Sequence, residues 1–130
     1  MKSVLADTSI FIKFCRRLPL PAEVVTALID PGTVRCLSPI SIVELFRLWK
    51  AERVPDDPDS WLQKALPFWR VLPVTIPIAR QSVLFSWDHR DPADRLLAAT
   101  AKVEGIELWH SDTVLKKLPG FPARYFKNVV

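Results

Sequence analysis

Residues 3–9 read Ser3-Val4-Leu5-Ala6-Asp7-Thr8-Ser9, a short apolar run that leads at once into residues that commonly begin a helix. The same change recurs at residues 33–39, where Ser38-Pro39 is a helix-start signal after a second apolar run. Short apolar strands that alternate with helices are typical of a parallel sheet covered on both faces. We therefore predict an α/β fold with helices on both sides of the sheet.

The predicted elements continue this alternation through the chain. The predicted strands lie at residues 3–6, 33–37, 71–74, 106–109 and 124–129. The predicted helices lie at residues 9–17, 21–29, 38–53, 58–69, 76–87, 91–105 and 112–118. No repeat, low-complexity tract or Gly/Ser linker interrupts them, and 130 residues suit one domain, so we expect residues 1–130 to form a single domain.

Composition and charge exclude few classes of protein. The 18 basic and 14 acidic residues give a net charge of +4, which weakly favours a polyanionic partner. No apolar run reaches the roughly 18 residues of a membrane span, and the early carboxylate of Asp7 argues against a signal peptide. Cys15 and Cys36 lack metal-ligand spacing and are predicted to be buried reduced thiols, so we expect a cytoplasmic protein. His89 and His110 are predicted to be surface or partly buried side chains.

Four carboxylates follow predicted strands or lie in the first turns of predicted helices. Asp7 follows the first strand, and Glu44 lies in the helix after the second strand. Asp94 lies in the first turn of the helix that begins at residue 91, and Asp112 follows the strand at residues 106–109. The carboxyl ends of parallel strands form the crevice where ligands bind, and right-handed crossovers bring the connecting segments to that edge. We therefore expect the four side chains to converge.

Each of these acids, taken alone, has a simpler explanation as a helix cap. Ser41-Ile42-Val43-Glu44 matches a capping box, Asp91-Pro92-Ala93-Asp94 matches one more loosely, and Asp7 and Asp112 suit N-cap positions. A single acid at a helix start is more often a cap than a ligand. Their joint placement on one sheet edge, and the apolar neighbours of Glu44 and Asp94, favour a shared and partly desolvated site.

Four carboxylates in such a pocket repel one another, and a divalent cation relieves the repulsion. Hard oxygen ligands select Mg²⁺ or Mn²⁺, and the sequence offers no soft ligand nearby. Such an ion can activate a water molecule for attack on a phosphodiester. With three glycines the chain has no P-loop and no GxGxxG motif, which argues against those nucleotide-binding sites.

The acids lie in four short motifs with a fixed order. In chain order the motifs are Leu5-Ala6-Asp7-Thr8-Ser9, Ser41-Ile42-Val43-Glu44-Leu45, residues 89–101 and Ser111-Asp112. This ordered set resembles the PIN-domain family, and most closely its VapC-type toxins from toxin–antitoxin pairs. The resemblance covers essentially the whole chain, and the segment around Asp94 is its most specific part. It implies a five-stranded parallel sheet, a Mg²⁺- or Mn²⁺-dependent endoribonuclease, a homodimer, and a cognate antitoxin that blocks the site.

The resemblance also implies roles for individual residues. Metal ligation and catalysis fall on the four acids Asp7, Glu44, Asp94 and Asp112. Asp91 is a second candidate beside the third acid, although we interpret it mainly as an N-cap. Thr8 and Ser9 would supply hydrogen bonds around the site or bind a water molecule. Ser111 stands where the family usually has threonine, and it keeps the hydroxyl group.

Basic and apolar side chains near the acids suggest how partners bind. A track for the phosphates of single-stranded or looped RNA is predicted along Arg16, Arg17, Arg47, Lys50, Arg53, Arg90 and Arg95. Another group of side chains forms either core or a groove for a partner peptide, and both interpretations stay open for Phe11, Phe14, Leu18, Leu20, Leu45, Phe46, Leu48 and Trp49. The five tryptophans are predicted to be packing residues.

Two other functions compete with the ribonuclease. The first is a non-catalytic module on the same fold that binds RNA or protein, although such a module could lose the acids. The second is a Mg²⁺-dependent phosphatase or receiver-like domain, which also places acids at strand ends. A receiver-like domain has a pair of aspartates near its N-terminus, whereas Asp7 stands alone in its motif.

Overall fold

The computed structural model describes residues 2–127, which form five strands and six α-helices. The strands are β1 (Lys2–Ala6), β2 (Thr33–Leu37), β3 (Arg70–Val71), β4 (Glu107–His110) and β5 (Ala123–Tyr125). The helices are α1 (Thr8–Cys15), α2 (Ala22–Ile29), α3 (Pro39–Lys50), α4 (Leu62–Ala65), α5 (Ile76–Leu84) and α6 (Pro92–Glu104). Short 3₁₀ turns lie at Pro58–Ser60, Leu66–Phe68 and Leu115–Lys117.

The strands form one parallel sheet in the order β3-β2-β1-β4-β5, which confirms the predicted α/β fold with five parallel strands. The chain runs outward from β1 through β2 to β3, and then returns to β4 on the other side of β1. In open α/β sheets the ligand crevice lies outside the carboxyl ends of the strands where the order reverses in this way. The ends of β1 and β4 therefore mark the expected site. A receiver-like domain has the order 2-1-3-4-5 instead, so the observed order contradicts the receiver-like alternative but does not test the phosphatase alternative.

Helices cover both faces of the sheet, because successive side chains of a buried strand point to opposite sides. Val4 and Ala6 of β1 pack with side chains of α1, α2 and α3. Leu5, between them, packs on the other face with Leu97 and Ala101 of α6. All three β1 side chains are fully buried, so the central strand holds Asp7 at a fixed position at its carboxyl end.

Helix ends follow the local signals. The Ser38 hydroxyl accepts a hydrogen bond from the backbone N–H of Ile40, with Pro39 in the first turn of α3. Gly105 ends α6 with a φ of 68°, a left-handed conformation that glycine adopts without the steric cost of a Cβ.

Three predicted elements differ most from the structure, and prolines explain much of the difference. The helix predicted at 58–69 is broken into α4 and two 3₁₀ turns, because Pro67 cannot donate the hydrogen bond that a continuing α-helix needs. The strand predicted at 71–74 is Arg70–Val71, which lies just before Pro73. The helix predicted at 112–118 is a single 3₁₀ turn, and Leu118, which precedes Pro119, is extended. The last predicted strand is observed at Ala123–Tyr125, and its predicted residues 128 and 129 lie outside the described residues.

Both cysteines are free thiols, as predicted, although only Cys36 is fully buried and Cys15 is half-buried. Burial raises the pKa of the Cys15 thiol to about 11, so it carries a proton at neutral pH. Within residues 2–127, none of the helices combines the length and the apolar character that a bilayer crossing requires.

Candidate active site

A cleft of about 770 Å³ opens at the carboxyl edge of the sheet, and all four predicted acids line it. Asp7 comes directly from β1, and Asp112 lies two residues after β4. Glu44 lies on α3 and Asp94 in the first turn of α6. The cleft therefore lies where the strand order reverses, and each acid reaches it from a different element of the chain.

Asp7 is the most deeply buried of these acids, with 8% of its surface exposed. Its carboxylate accepts a hydrogen bond from the backbone N–H of Ile10 at 2.8 Å and so caps α1. Burial raises its pKa to about 7, against the lowering effect of backbone hydrogen bonds from Ile10 and Ser111. The nearby carboxylates of Glu44 and Asp112 raise this pKa further. Capping and membership of the acid cluster are therefore both properties of Asp7 rather than alternatives.

Glu44 does not belong to a capping box, because Ser38 is the N-cap of α3 and Ser41 lies inside the helix. Instead, the Thr8 hydroxyl donates a hydrogen bond to Glu44 Oε1 at 2.5 Å. Thr8 Oγ1 also lies 3.0 Å from the buried Ser41 hydroxyl. Burial raises the pKa of Glu44, the Thr8 hydrogen bond lowers it, and the Asp94 carboxylate raises it. Thr8 thus fixes the orientation of the half-buried Glu44 carboxylate, which lies on another helix and 36 positions away in the sequence.

Asp94 lies 2.7 Å through its Oδ2 from Nε2 of His89, which precedes it in the connection between α5 and α6. Burial raises the pKa of Asp94, the His89 hydrogen bond lowers it, and the carboxylates of Asp91 and Asp112 raise it. Asp91 caps α6 through the backbone N–H groups of Ala93 and Asp94, as predicted. One ligand atom from each of His89, Asp91 and Asp94 lies within 4.8 Å of the others. Among residues 2–127, these three form the one group of possible metal ligands that is this compact.

Asp112 closes the other side of the cleft. Its Oδ1 accepts hydrogen bonds from the backbone N–H groups of Val114 and Leu115 at 2.7 and 3.3 Å. Its own backbone N–H donates to Nδ1 of His110, which is 1% exposed. Burial lowers the pKa of His110, so the neutral ring that can accept this bond is favoured. His110, predicted to be a surface or partly buried side chain, is instead fully buried and supports the turn that carries Asp112.

Electrostatics link the four acids in a closed ring. The carboxylates of Glu44 and Asp112 raise the pKa of Asp7. The carboxylate of Asp94 raises the pKa of Glu44, and the carboxylate of Asp112 raises the pKa of Asp94. Carboxylates that raise one another's pKa are harder to ionise together, and a bound cation reverses this effect. The donor set is made of carboxylate oxygens with one imidazole and no thiol, which fits Mg²⁺ or Mn²⁺.

The remaining predicted side chains divide into those that line the cleft and those that do not. Ser9 and Ser111 line it beside the acids, together with the cations Lys13, Arg47 and Arg53. Arg16 instead pairs with Asp56. Arg95 was wrongly included in the phosphate track, because its guanidinium is directed at backbone carbonyl groups of residues 82–89. Of the predicted track, Arg47 and Arg53 line the cleft, whereas Arg17, Lys50 and Arg90 do not.

The functional contact that the sequence analysis missed is that of His89. His89 lies five positions before Asp94 and just ahead of the Asp91-Pro92 helix start, and this spacing lets it reach the first turn of α6. Nothing local distinguishes such a histidine from one on the surface.

The expected apolar side chains also divide. Phe11 and Leu45 are core residues. Phe14, Leu18 and Leu20 line a second cavity of about 710 Å³, which shares Lys13 and Leu18 with the acid cleft. Trp69 and Trp109 are buried packing residues as predicted, whereas Trp49 is 38% exposed.

Comparisons with known proteins agree with this fold. The family model described as the PIN domain matches residues 4–120. The chain is similar to VapBC2 of Rickettsia felis, solved with a promoter DNA fragment, with a TM-score of 0.74, 14% identity and coverage of 96% of this chain and 99% of that one. It is similar to DNA-bound VapBC of Salmonella typhimurium, with a TM-score of 0.71, 18% identity and coverage of 96% and 98%.

FitAcB of Neisseria gonorrhoeae is a third similar structure, with a TM-score of 0.61, 28% identity and coverage of 86% of this chain and 89% of that one. A comparison with curated proteins gave no match. The residues that the family model matches are most of the chain, and all four acids of the cleft lie within that range. The chain therefore belongs to the PIN-domain family, with VapBC and FitAB toxin–antitoxin complexes as its structural neighbours.

Proposed function

We propose that this protein is a Mg²⁺- or Mn²⁺-dependent endoribonuclease and the toxin of a toxin–antitoxin pair. One observation carries the proposal: four carboxylates from four different elements line one cleft at the strand-order reversal, and the pKa values of three of them are raised. Membership of a family whose domains are typically nucleases supports it. A purely structural role gives no reason to collect charges that destabilise one another.

The metal would be held by Asp7, Glu44, Asp94 and Asp112, with Asp91 as a further candidate. A bound ion would activate a water molecule and stabilise negative charge on the phosphate. The protein supplies position: β1 holds Asp7, and Thr8 orients Glu44. The cations Arg47, Arg53 and Lys13 lie in the same cleft and would bind the phosphates of a single-stranded or looped RNA.

The test is cleavage of RNA with Mg²⁺ or Mn²⁺ by the wild-type protein, Asp7→Asn and Asp94→Asn. We expect each substitution to reduce the rate by at least about 100-fold, since even partners outside the ligand shell are worth about 10- to 100-fold in metal sites. Asp59→Asn is the matched control, because its carboxylate is exposed and lies outside the cleft. Metal-dependent cleavage that survives both substitutions would contradict the site. RNA binding without cleavage in Mn²⁺ would favour a non-catalytic module.

The antitoxin partner and the homodimer belong to the same proposal. The cavity beside the cleft offers the exposed apolar side chains of Leu18, Ile29 and Phe68 to a partner peptide. On α5, Ile76 and Val83 are 84% and 77% exposed, which suits contact with a second copy. Co-expression with the product of an adjacent small gene should yield a complex that no longer cleaves RNA. Sedimentation of the chain alone should give a dimer, and a monomer at all concentrations would contradict that part. A cytoplasmic location stays a prediction.

A further inference from the structure

The side chain of Arg95 makes an unusually complete set of hydrogen bonds for a residue beside the cleft. Its Nε donates to the carbonyl of Ser82 at 2.7 Å. One terminal nitrogen donates to the carbonyls of His89 and Trp87, at 2.6 and 3.4 Å. The other donates to the carbonyls of Val83, at 3.3 Å, and Phe85. All five N–H groups of the guanidinium therefore find backbone acceptors within residues 82–89.

These carbonyls belong to the end of α5 and to the connection that follows it. The last carbonyl groups of a helix have no partner within the helix, and a cation near them is favourable. The connection at 85–91 contains no helix or strand of its own. Its Trp87 ring stacks on Phe85 at 4.0 Å between ring centroids, and Arg95 lies over the same Trp87 ring at 5.4 Å. Arg95 is thus the residue that ties this irregular segment to α6.

Within this segment, the imidazole of His89 contacts Asp94, the neighbour of Arg95. The carbonyl of His89 accepts from Arg95 while its Nε2 lies against Asp94 Oδ2. Two adjacent residues of α6 therefore hold His89 at two points, one on its backbone and one on its ring. The rings of Phe85 and Trp87 also restrain this segment, but among the described residues the His89 backbone has no hydrogen bond other than the one from Arg95.

We propose that Arg95 is a positioning residue of the active site: through the His89 carbonyl and four carbonyls before it, the guanidinium holds the imidazole against the Asp94 carboxylate. The kinetic consequence rests on the proposed nuclease function, whereas the structural consequence does not. Lysine cannot replace arginine here, because an ammonium group is a point charge with three donors and lacks the planar fork that reaches five acceptors.

The structural consequence is measurable by NMR because the chain has two histidines. Imidazole nitrogen shifts of ¹⁵N-labelled protein are recorded at one fixed pH without added metal, and His89→Gln assigns the signals. Asp94→Asn defines the shifts of His89 without its carboxylate partner. We expect Arg95→Lys to move the His89 signals towards those of Asp94→Asn and to leave His110 unchanged. Arg80→Lys, the same change at an exposed position on α5, should move neither.

Unmoved His89 signals in folded Arg95→Lys would overturn the proposal. If Arg95→Lys does not fold, Trp87→Phe provides the second test. This change keeps an aromatic ring but removes the indole N–H that donates to the carbonyl of Pro119 at 3.0 Å. With Arg95 intact, the His89 signals should stay at their wild-type positions. A shift as large as that of Asp94→Asn would assign the positioning to Trp87 instead and would also overturn the proposal.

The kinetic arm uses RNA cleavage with Mn²⁺. A misplacement of about 1 Å at a reacting centre costs up to about 100-fold, so we expect Arg95→Lys to lower kcat about 10-fold or more with KM changed less than about twofold. His89→Gln should lower kcat similarly, and the double variant should be no worse than the poorer single one. Multiplied losses in the double variant would show that Arg95 acts independently of His89. If the wild-type protein cleaves no RNA, the proposed function fails, and the NMR arm still decides the role of Arg95.

Discussion

The two sides of the acid cleft are built in different ways. On one side, Asp7 follows the fully buried residues Val4, Leu5 and Ala6 of β1, and Thr8 binds Glu44 on helix α3. On the other side, Asp94 lies in the first turn of α6, and its partner His89 comes from an irregular connection held by Arg95. The first side is made rigid by the core, and the second by polar contacts near the surface. Burial therefore shifts the pKa of Asp7 most, whereas the position of the side chains is most easily lost around Asp94.

The largest expected effect is on stability and comes from Asp7→Asn. The pKa of Asp7 is raised from 3.8 to about 7, so in the folded protein the carboxyl keeps its proton to higher pH than in the unfolded chain. Without added metal, the unfolding free energy of the wild type should fall from about pH 4 to about pH 7, by up to ~4 kcal/mol from this group. Asparagine still caps α1 and carries no charge, so Asp7→Asn should be the more stable protein at pH 7.5.

Urea denaturation of both proteins across this pH range measures the difference. Asp94→Asn should increase the unfolding free energy at pH 7.5 by less than Asp7→Asn does, because Asp94 is only half-buried and the substitution weakens its contact with His89. An equal or larger increase in the unfolding free energy for Asp94→Asn would contradict the expected difference between the two sides of the cleft. A wild-type stability that does not fall with pH, relative to Asp7→Asn, would show that Asp7 ionises normally.

The next effect concerns Thr8 on the buried side. Thr8→Val keeps the shape of the side chain but removes the donor to Glu44 Oε1, which should lower cleavage by about 10- to 100-fold, as for other residues that orient metal ligands. Thr8→Ser keeps the hydroxyl and should retain most of the activity. Rates with saturating Mn²⁺ and Mn²⁺ titrations of both variants check this. Equal activity of Thr8→Val and Thr8→Ser would show that cleavage does not depend on this hydrogen bond.

The smallest effect should come from the cations. Arg47 lines the cleft, whereas Lys50 on the same helix does not. Arg47→Gln should raise KM for RNA several-fold, and lower the salt dependence of binding by about one phosphate contact. Lys50→Gln should leave both unchanged. Arg16→Ala should leave KM unchanged and should change the unfolding free energy by no more than about 1 kcal/mol, because its ion pair with Asp56 is on the surface. An equal rise in KM for Arg47→Gln and Lys50→Gln would mean that the RNA responds to the overall charge of the protein and not to the cations of the cleft.

Proline and capping signals predicted where helices begin more reliably than where they end or break. Ser38-Pro39 and Asp91-Pro92 start α3 and α6 as expected, because a cap acts within one turn. The helix predicted at 58–69 failed because an apolar pattern was given more weight than Pro67. The capping-box interpretation of Glu44 failed for a related reason, since Ser41 has the right spacing but lies inside the helix that Ser38 caps.

The sequence by itself determined the parallel α/β architecture and the position of Asp7, Glu44, Asp94 and Asp112 at strand ends and on the helices that follow. Hydrophobic patterning and caps are local, so they can be interpreted from neighbouring residues. Only the tertiary structure decided that Thr8 binds Glu44 and that Arg95 holds the segment before α6. These contacts join separate elements, and their partners are often backbone carbonyls, which carry no sequence signal. The same arginine is a surface cation or a structural tie depending on where the rest of the chain packs.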